Sequence, residues 1–415
     1  MFKVLKMAGR NLSRYRRRTL LTLLLIVIGM VAVLLFIAIA GSFKALMIGQ
    51  FTDSVLGHVE VHRKGYVASI DNLPLNLNMK PGAVAKVDAA LQQNAGVASW
   101  SPRIKFGGMY SNFVETTSVR VNGIDPAREA ATVPLLPGRL IEGRKDGPLV
   151  GKGEILVPAL LAKGMKTKIG DTVVLVATNR DGSVNGKTFV VRGVLESISG
   201  PGGRDGYIHI DDARELLRMQ DAEVSEIAIR LKDFSELNRV TGELKQALEG
   251  VVNPEGKPVL EVHTWADLSP FASLARMIDV MTLFIKIVLV SIVLVSVMNV
   301  MIMAVYERIR EIGTIAAIGT PPSRILSLFL SEGLLLGLIG TAAGTLISLA
   351  AIFSLNAWKI HFSFGQQQNL VLAPHIAAVD VATIAALVAA VAVLASLQPA
   401  WKASRLDPIM ALRHV

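Results

Sequence analysis

Leu20–Ala40 reads LLTLLLIVIGMVAVLLFIAIA, 21 residues without a charge, directly after Arg16-Arg17-Arg18-Thr19. A helix rises about 1.5 Å per residue, so about 20 apolar residues cross a hydrocarbon core about 30 Å thick. Three further uncharged runs follow: Ile287–Val305 with 19 residues, Gly333–Phe353 with 21 and Val381–Leu397 with 17. The last needs neighbours such as Val379 and Pro399 to span. The chain is 52% hydrophobic, with a mean hydropathy of +0.49. That lies only slightly above the roughly 45–50% of soluble chains, so the excess is concentrated in these four runs.

Charge sorts the remainder. Residues 42–280 carry 28 Lys and Arg against 28 Asp and Glu, so the formal +10 belongs wholly to the flanks of the apolar runs. A nucleic-acid binder carries its basic patch on a folded domain, and a neutral domain does not fit that class. Lys3, Lys6, Arg10, Arg14, Arg16, Arg17 and Arg18 precede the first run with no acid among them. Cytoplasmic flanks accumulate Lys and Arg, which predicts a cytoplasmic N-terminus. The resulting plan is a basic cytoplasmic N-terminus over 1–19, a first span over 20–41 and an extracytoplasmic domain over 42–280. A second span (281–305), a cytoplasmic helix and loop (306–324) and a third span (325–355) come next. An outer loop (356–378), a fourth span (379–398) and a cytoplasmic tail (399–415) complete it. Arg308, Arg310 and Arg324 on the inner loop, and Lys402, Arg405 and Arg413 on the tail, agree with this, while the outer loop has only Lys359. Ala38-Ile39-Ala40-Gly41 looks like a signal-peptide cleavage site, but such apolar cores run about 7–15 residues. The longer run here is read as a retained span. The chain has no cysteine, so disulfides do not hold the outer domain.

Within 42–280 the pattern alternates. Residues 57–63 and Tyr207–Ile210 alternate at period two as strands do, and Ala83–Gln92 is amphipathic after Pro81. Strand-like runs follow near Val97–Phe106 and Phe113–Val121. A second unit of the same kind has a strand over Ser225–Leu231, a helix over Ser235–Leu248 and a strand over Val259–His263. This predicts a two-lobed α+β domain, one subdomain interrupted by an insertion over about 134–220. Thr172–Thr178 and Lys187–Val194 flank Asn179-Arg180-Asp181-Gly182, a hairpin with Asp-Gly turn chemistry.

Gly182-Ser-Val-Asn-Gly186-Lys187-Thr188 resembles a phosphate-binding loop, but only three residues separate its glycines and it leads into Phe189-Val190-Val191, a strand pattern. The hairpin reading is preferred, and no ATP site is expected in this chain. His58, His62, His263, His361 and His375 are scattered, with no pair at metal-ligand spacing on a helix. His58 and His62 lie four apart on a strand-like run, sharing a face at too great a separation. No catalytic residue and no metal site is expected.

The most informative stretch runs from Asn299 to Pro322. The second apolar run passes straight into Glu307-Arg308-Ile309-Arg310-Glu311-Ile312-Gly313, continues through Ile318-Gly319 and closes on Pro321-Pro322. Apolar residues recur at helical spacing with charges opposite, which predicts a short amphipathic helix. Two readings fit it: a membrane-surface helix with stop-transfer arginines, or a helix docked into a cytoplasmic partner.

Asn299 with Glu307-Arg-Ile-Arg-Glu-Ile-Gly313 and Ile318-Gly319 resembles the signature of permeases in the macrolide-exporter and lipoprotein-releasing ABC superfamily (type VII, FtsX-like). The tail Pro399-Ala400-Trp-Lys-Ala403-Ser404-Arg405-Leu-Asp-Pro408-Ile-Met-Ala411-Leu412-Arg413 is similar to that family's C-terminal motif, and Arg10-Asn11-Leu12 before an arginine cluster also matches. Weaker echoes are Leu136-Pro-Gly-Arg139, Gly153-Glu154-Ile-Leu-Val157 and Gly170-Asp171-Thr-Val173. Gly57-His58-Val59 and Gly65-Tyr66 lean toward the lipoprotein-releasing branch. The resemblance implies a multi-pass protein of the bacterial inner membrane with both termini cytoplasmic. It implies two partner ATPase subunits that bind ATP and Mg, and a second permease copy or paralogue. It makes Glu307, Arg308, Arg310, Glu311, Ile312, Gly313, Ile318 and Gly319 a coupling helix seated in an ATPase groove. The substrate it implies is a lipoprotein or another lipidated or amphipathic molecule, handled by the outer domain through mechanotransmission. Alternatives are small-molecule or peptide efflux with a tunnel partner, a permease that activates an outer hydrolase, and a receptor or scaffold without an ATPase.

Gly333, Gly337, Gly340 and Gly344 fall on one face of the third span, where small residues let helices approach closely in lipid. Glu332, near the cytoplasmic start of that span, and Asn299 in the second are the candidate functional groups within the membrane. Glu332 reads equally well as a structural residue facing the bundle.

Overall fold

The computed structural model describes residues 2–14, 16–144, 146–198, 204–364 and 367–407. Two compact units emerge. One comprises Met1–Ala45, Arg276–His361 and Val371–Val415, and the other Leu46–Ala275 with Phe362–Leu370.

The first unit is a helical bundle. A short N-terminal helix, Phe2–Arg14, precedes the first span, Arg16–Phe51. The second span is Phe271–Glu307, the third Pro322–Trp358 and the fourth Ala378–Ser404. A connecting helix, Ile309–Ala317, lies between the second and third. All four spans are long and apolar enough to cross a membrane, yet only 28–39% of their most apolar windows is buried within the chain. Leu24, Ile28, Phe284, Val288, Leu346 and Phe353 are exposed. An apolar surface this extensive needs a cover, and lipid supplies one. Each span outlasts its apolar run because polar residues at the ends continue the same hydrogen-bond ladder.

Inside the bundle Ile26, Met30 and Leu34 of the first span pack with Leu289, Val293 and Val297 of the second and with Leu336, Val388 and Ala392. The glycine face closes the gap. A Cβ on Gly333 would stand 2.4 Å from Ser396 Oγ, and one on Gly337 2.8 Å from the Ala392 Cβ. One on Gly340 would stand 2.6 Å from Ile26 Cγ2, and one on Gly344 2.7 Å from the Met30 Cβ. Gly340 and Gly344 thus receive the first span and Gly333 and Gly337 the fourth, with Thr341 and Ser348 donating to the carbonyls of Gly337 and Gly344 at 2.6 Å. Gly340→Val is expected to push the first span away and cost about 1–3 kcal/mol, read as a lower melting temperature in detergent. Gly41→Ala, with nothing within 4 Å of its added Cβ, should leave it unchanged.

The second unit is built on one sheet. Its strands are β1 (Val59–Arg63), β2 (Val97–Ser111), β3 (Thr116–Ile124), β4 (Leu140–Gly143), β5 (Glu154–Pro158), β6 (Thr172–Thr178), β7 (Val184–Leu195), β8 (Gly206–His209), β9 (Glu226–Leu231) and β10 (Leu260–Thr264). Their order is β10-β1-β9-β2-β3-β8-β5-β7-β4, with β6 pairing β2 and β7. The two similar units legible in the sequence interleave as β10-β1-β9-β2, a split β-α-β arrangement. Their helices are Pro81–Gln93 and Leu237–Leu248. The segment between β2 and β9 extends the same sheet through the long strand β2. Arg103–Ser111 of that strand pairs with β3, and Val97–Arg103 with β9. A smaller core of Ile124, Val133, Leu136, Val150, Leu156 and Tyr207 fills the insertion. Asn179–Ser183 closes the β6–β7 hairpin with Gly182 at φ +85°, so Gly186-Lys187-Thr188 lies in a strand and presents no phosphate loop. The segment between the third and fourth spans, a plain loop by sequence, holds a two-stranded sheet of Ile360–Phe364 and Gln367–Leu372.

Candidate partner-coupling site

The second span does not run unbroken into the connecting helix. Arg308, at φ −113° and ψ 18°, interrupts it, and the chain restarts at Ile309. The helix ends in a Schellman closure: Gly319 N–H donates to Ala316 O at 3.0 Å and Thr320 N–H to Ile315 O at 3.3 Å, with Gly319 at φ +90°. Only glycine adopts that conformation without strain. Pro322, already of fixed φ and lacking an N–H, then opens the third span.

The break at Arg308 turns its side chain inward. Arg308 Nη1 donates to Glu332 Oε1 at 2.9 Å, and Asn11 Nδ2 of the N-terminal helix donates to the same oxygen at 2.6 Å. Arg308 Nε reaches Glu311 Oε2 at 3.2 Å, Arg14 Nη1 reaches Glu311 Oε1 at 3.4 Å, and the Arg308 guanidinium stands 5.6 Å from the Phe329 ring centroid. Glu332 is 2% exposed and Arg308 7%. The N-terminal helix, the connecting helix and the third span are therefore tied at one buried carboxylate. Its pairing also explains how Glu332 is tolerated beside an apolar run.

The eight residues expected to meet a partner divide. Glu307, Arg310, Glu311, Ile318 and Gly319 are exposed, Ile318 at 79%. Arg308, Ile312 and Gly313 are buried within the chain: at a helical repeat of about 3.6 residues, 308 and 312 share the face that packs on the bundle. Asn299 lies elsewhere, on an exposed face of the second span. Pro399–Ser404 continues the fourth span, with Arg405 stacked 4.5 Å from the Trp401 ring centroid. Pro408, Ala411, Leu412 and Arg413 lie outside the described residues. Sequence reading missed the role of Asn11, because 321 positions separate it from Glu332 and its helix presents mainly basic charge.

A second cluster, in the sheet domain, was also missed. Glu60 and His62 of β1, Arg103 and Lys105 of β2, Glu226 of β9 and Glu129 are all buried. His62 Nε2 lies 3.3 Å from Glu60 Oε2 and 3.4 Å from Glu226 Oε2. Lys105 Nζ lies 2.8 Å and Arg103 Nη1 3.1 Å from Glu226 Oε1, and Arg103 Nη2 2.7 Å from Glu129 Oε1. Glu60, His62 and Glu226 could be taken for three metal donors. Yet three carboxylates against Arg103, Lys105 and a protonated His62 balance, whereas a divalent ion in place of that proton would leave excess positive charge. The donor set fits a proton. Burial opposes charge on His62, but the Glu226 and Glu60 carboxylates outweigh it and lift the pKa from 6.5 to about 9. A raised pKa stabilises the fold fully below the ordinary value, and the contribution is lost as pH rises through the folded value. The melting temperature is therefore expected to fall between about pH 6.5 and 9, and this slope should flatten in His62→Gln.

Residues 19–247 match the family described as MacB-like periplasmic core domain, and residues 283–408 match the FtsX-like permease C-terminal. The chain belongs to the MacB-like permease family. This permease is 22% identical over 413 residues to the lipoprotein-releasing system transmembrane protein LolC of Neisseria meningitidis serogroup B, covering 95% of this chain and 94% of that protein. It is 24% identical over 319 residues to LolC of Xylella fastidiosa strain Temecula1, covering 71% and 72% of the two chains. With the macrolide export ATP-binding/permease protein MacB of Hahella chejuensis it shares 27% over 439 residues, 98% of this chain and 59% of that protein. The permease is a multi-pass membrane protein and a permease component of an ABC transporter.

Proposed function

We propose that this permease carries the closure of two separate ATPase subunits, which bind ATP and Mg, through the connecting helix to the sheet domain. The domain then extracts or exports a lipidated or amphipathic substrate, in first place lipoproteins. The observation that carries this reading is the division of the connecting helix. One face is anchored to the bundle through Arg308, Glu332 and Asn11, and the other presents Arg310, Glu311 and Ile318 to the surroundings. A helix held that way moves with the spans when pushed. A surface helix resting on lipid would instead turn its apolar side to the headgroups, whereas here Ile312 is buried in the bundle and Ile318 stands out. The lipoprotein assignment draws on the LolC relatives, which align along nearly the whole chain in the Neisseria case. The inner membrane, with both termini cytoplasmic, is the placement that the basic N-terminus supports.

Copurification in mild detergent tests the reading. An ATPase subunit is expected to come down with the wild-type chain and to be lost in Ile318→Glu. Gly313→Trp would disturb the bundle itself and is unsuitable. Crosslinks from the sheet domain to lipoprotein acyl chains would support the substrate. Crosslinks to a tunnel-forming adaptor alone would point to efflux, and the absence of any ATPase would leave a receptor or scaffold.

A further inference from the structure

In the insertion of the sheet domain a pocket of about 500 Å³ opens between the helix Pro126–Thr132 and the segment that leads to β5, a volume usual for small-ligand sites. Ala127 and Ala130 of that helix, with Pro137, Leu140 and Leu149, form its apolar wall, and among the described residues Arg144 is the one charged member of the lining. Both sides are fixed by the fold itself. Asp125 Oδ1 accepts from Ala127 N–H at 3.0 Å and Arg128 N–H at 3.2 Å, capping the helix. Arg192 Nη2 donates to Asp146 O at 2.9 Å and to Pro148 O at 2.8 Å, and Arg192 Nη1 pairs with Glu154 Oε2 at 2.9 Å. Leu140 continues into the core formed with Leu136 and Val150. Arg144 is exposed and has no ion-pair or hydrogen-bond partner among the described residues. Glu142 and Asp146 are exposed and outside the lining.

We infer that this pocket binds a fatty carboxylate, its chain against Ala127, Ala130, Leu140 and Leu149 and its head at Arg144. An apolar wall gains from covering a hydrocarbon chain in proportion to the area removed from water, and a cavity of this volume has room for one chain. The forked guanidinium at the rim matches a carboxylate. A neutral amphiphile would leave that charge unanswered, and a cationic one would be repelled by it. A peptide would bring backbone N–H and C=O groups that alanine, proline and leucine side chains cannot pair. Binding here rests on the amphipathic-substrate reading given above only for its part in transport, and it needs no ATPase contact.

The test irradiates the full chain, held in phosphatidylcholine nanodiscs, with laurate carrying a diazirine, and maps the adducts by mass spectrometry. Adducts are expected in the peptides holding Ala127, Ala130 and Leu149, apart from any that bilayer-dissolved probe makes with the spans. Unlabelled laurate should suppress them, decanoate should need roughly 15-fold more for its two missing methylenes, and dodecyltrimethylammonium should fail. Arg144→Gln should weaken labelling roughly 2- to 5-fold, as for an exposed ion pair, with Arg144→Lys close to wild type. Ala127→Trp, on an exposed position, should fill the pocket and abolish the adducts while the melting temperature stays unchanged. Adducts confined to the spans, equal competition by the cationic amphiphile, or unchanged labelling in Ala127→Trp would overturn the inference. So would a polypeptide adduct from a photoreactive residue placed at 127 in native membranes. Loss of pocket labelling with the ATPase still copurifying removes this proposal alone. Pocket labelling without any ATPase removes the function proposed above and leaves the site standing.

Discussion

Glu332→Ala is expected to destabilise the helical bundle by about 3 kcal/mol, the low end for a broken buried pair, because it leaves the buried Arg308 guanidinium with only the exposed Glu311 as counter-charge. The loss should appear as a lower melting temperature in detergent and as faster amide exchange in Phe2–Arg14, since Asn11 loses its acceptor in the same step. Arg308→Met with Glu332→Leu removes both charges, and apolar replacement of a whole buried pair costs little or even stabilises. The double variant should therefore recover most of the stability of the wild type. It should not recover transport, because the connecting helix would no longer be tied to the third span. A double variant that is stable and fully active would show that the pair serves folding alone.

The second large effect is expected at Glu226. This carboxylate is held well below the usual range: burial raises it, but Lys105, His62 and Arg103 together prevail. Glu226→Ala would leave those three cations facing only Glu60 and Glu129. Uncompensated charge in an interior costs about 3–5 kcal/mol, and the sheet should lose protection first along β1 and β9, which pair directly at His62 and Glu226. The pH dependence assigned to His62 should shrink in the same variant, since one of its two carboxylates is gone. Glu243→Ala, on an exposed carboxylate paired with Arg239, should change neither.

The spans were legible because bilayer crossing imposes a length and an absence of charge that few other structures need. Leu20–Ala40 could hardly be read otherwise. The sheet was partly legible. Val59–Arg63 and Glu226–Leu231 alternate cleanly, yet their adjacency in β10-β1-β9-β2 depends on pairing across more than 160 residues, which no local pattern encodes. Burial was not legible at either site. Glu60 and His62 lie in a charged, alternating run that looks half-exposed, but β9 and β10 flank it on either side and counter-charges from β2 allow it inside. Along the connecting helix, the amphipathic period showed that a face existed. It did not show which face, because Arg308 is as polar as Arg310 and only the distant Glu332 draws it inward.

In the proposed function, the connecting helix offers its Ile318 side to an ATPase while its Ile312 side stays in the bundle. A photoreactive amino acid placed at 318, and separately at 312, in membranes turning over ATP tests this most directly. An adduct with an ATPase subunit is expected from 318, and adducts within the permease itself from 312. Adducts from 318 with lipid alone, in the presence of the functioning ATPase, would contradict it.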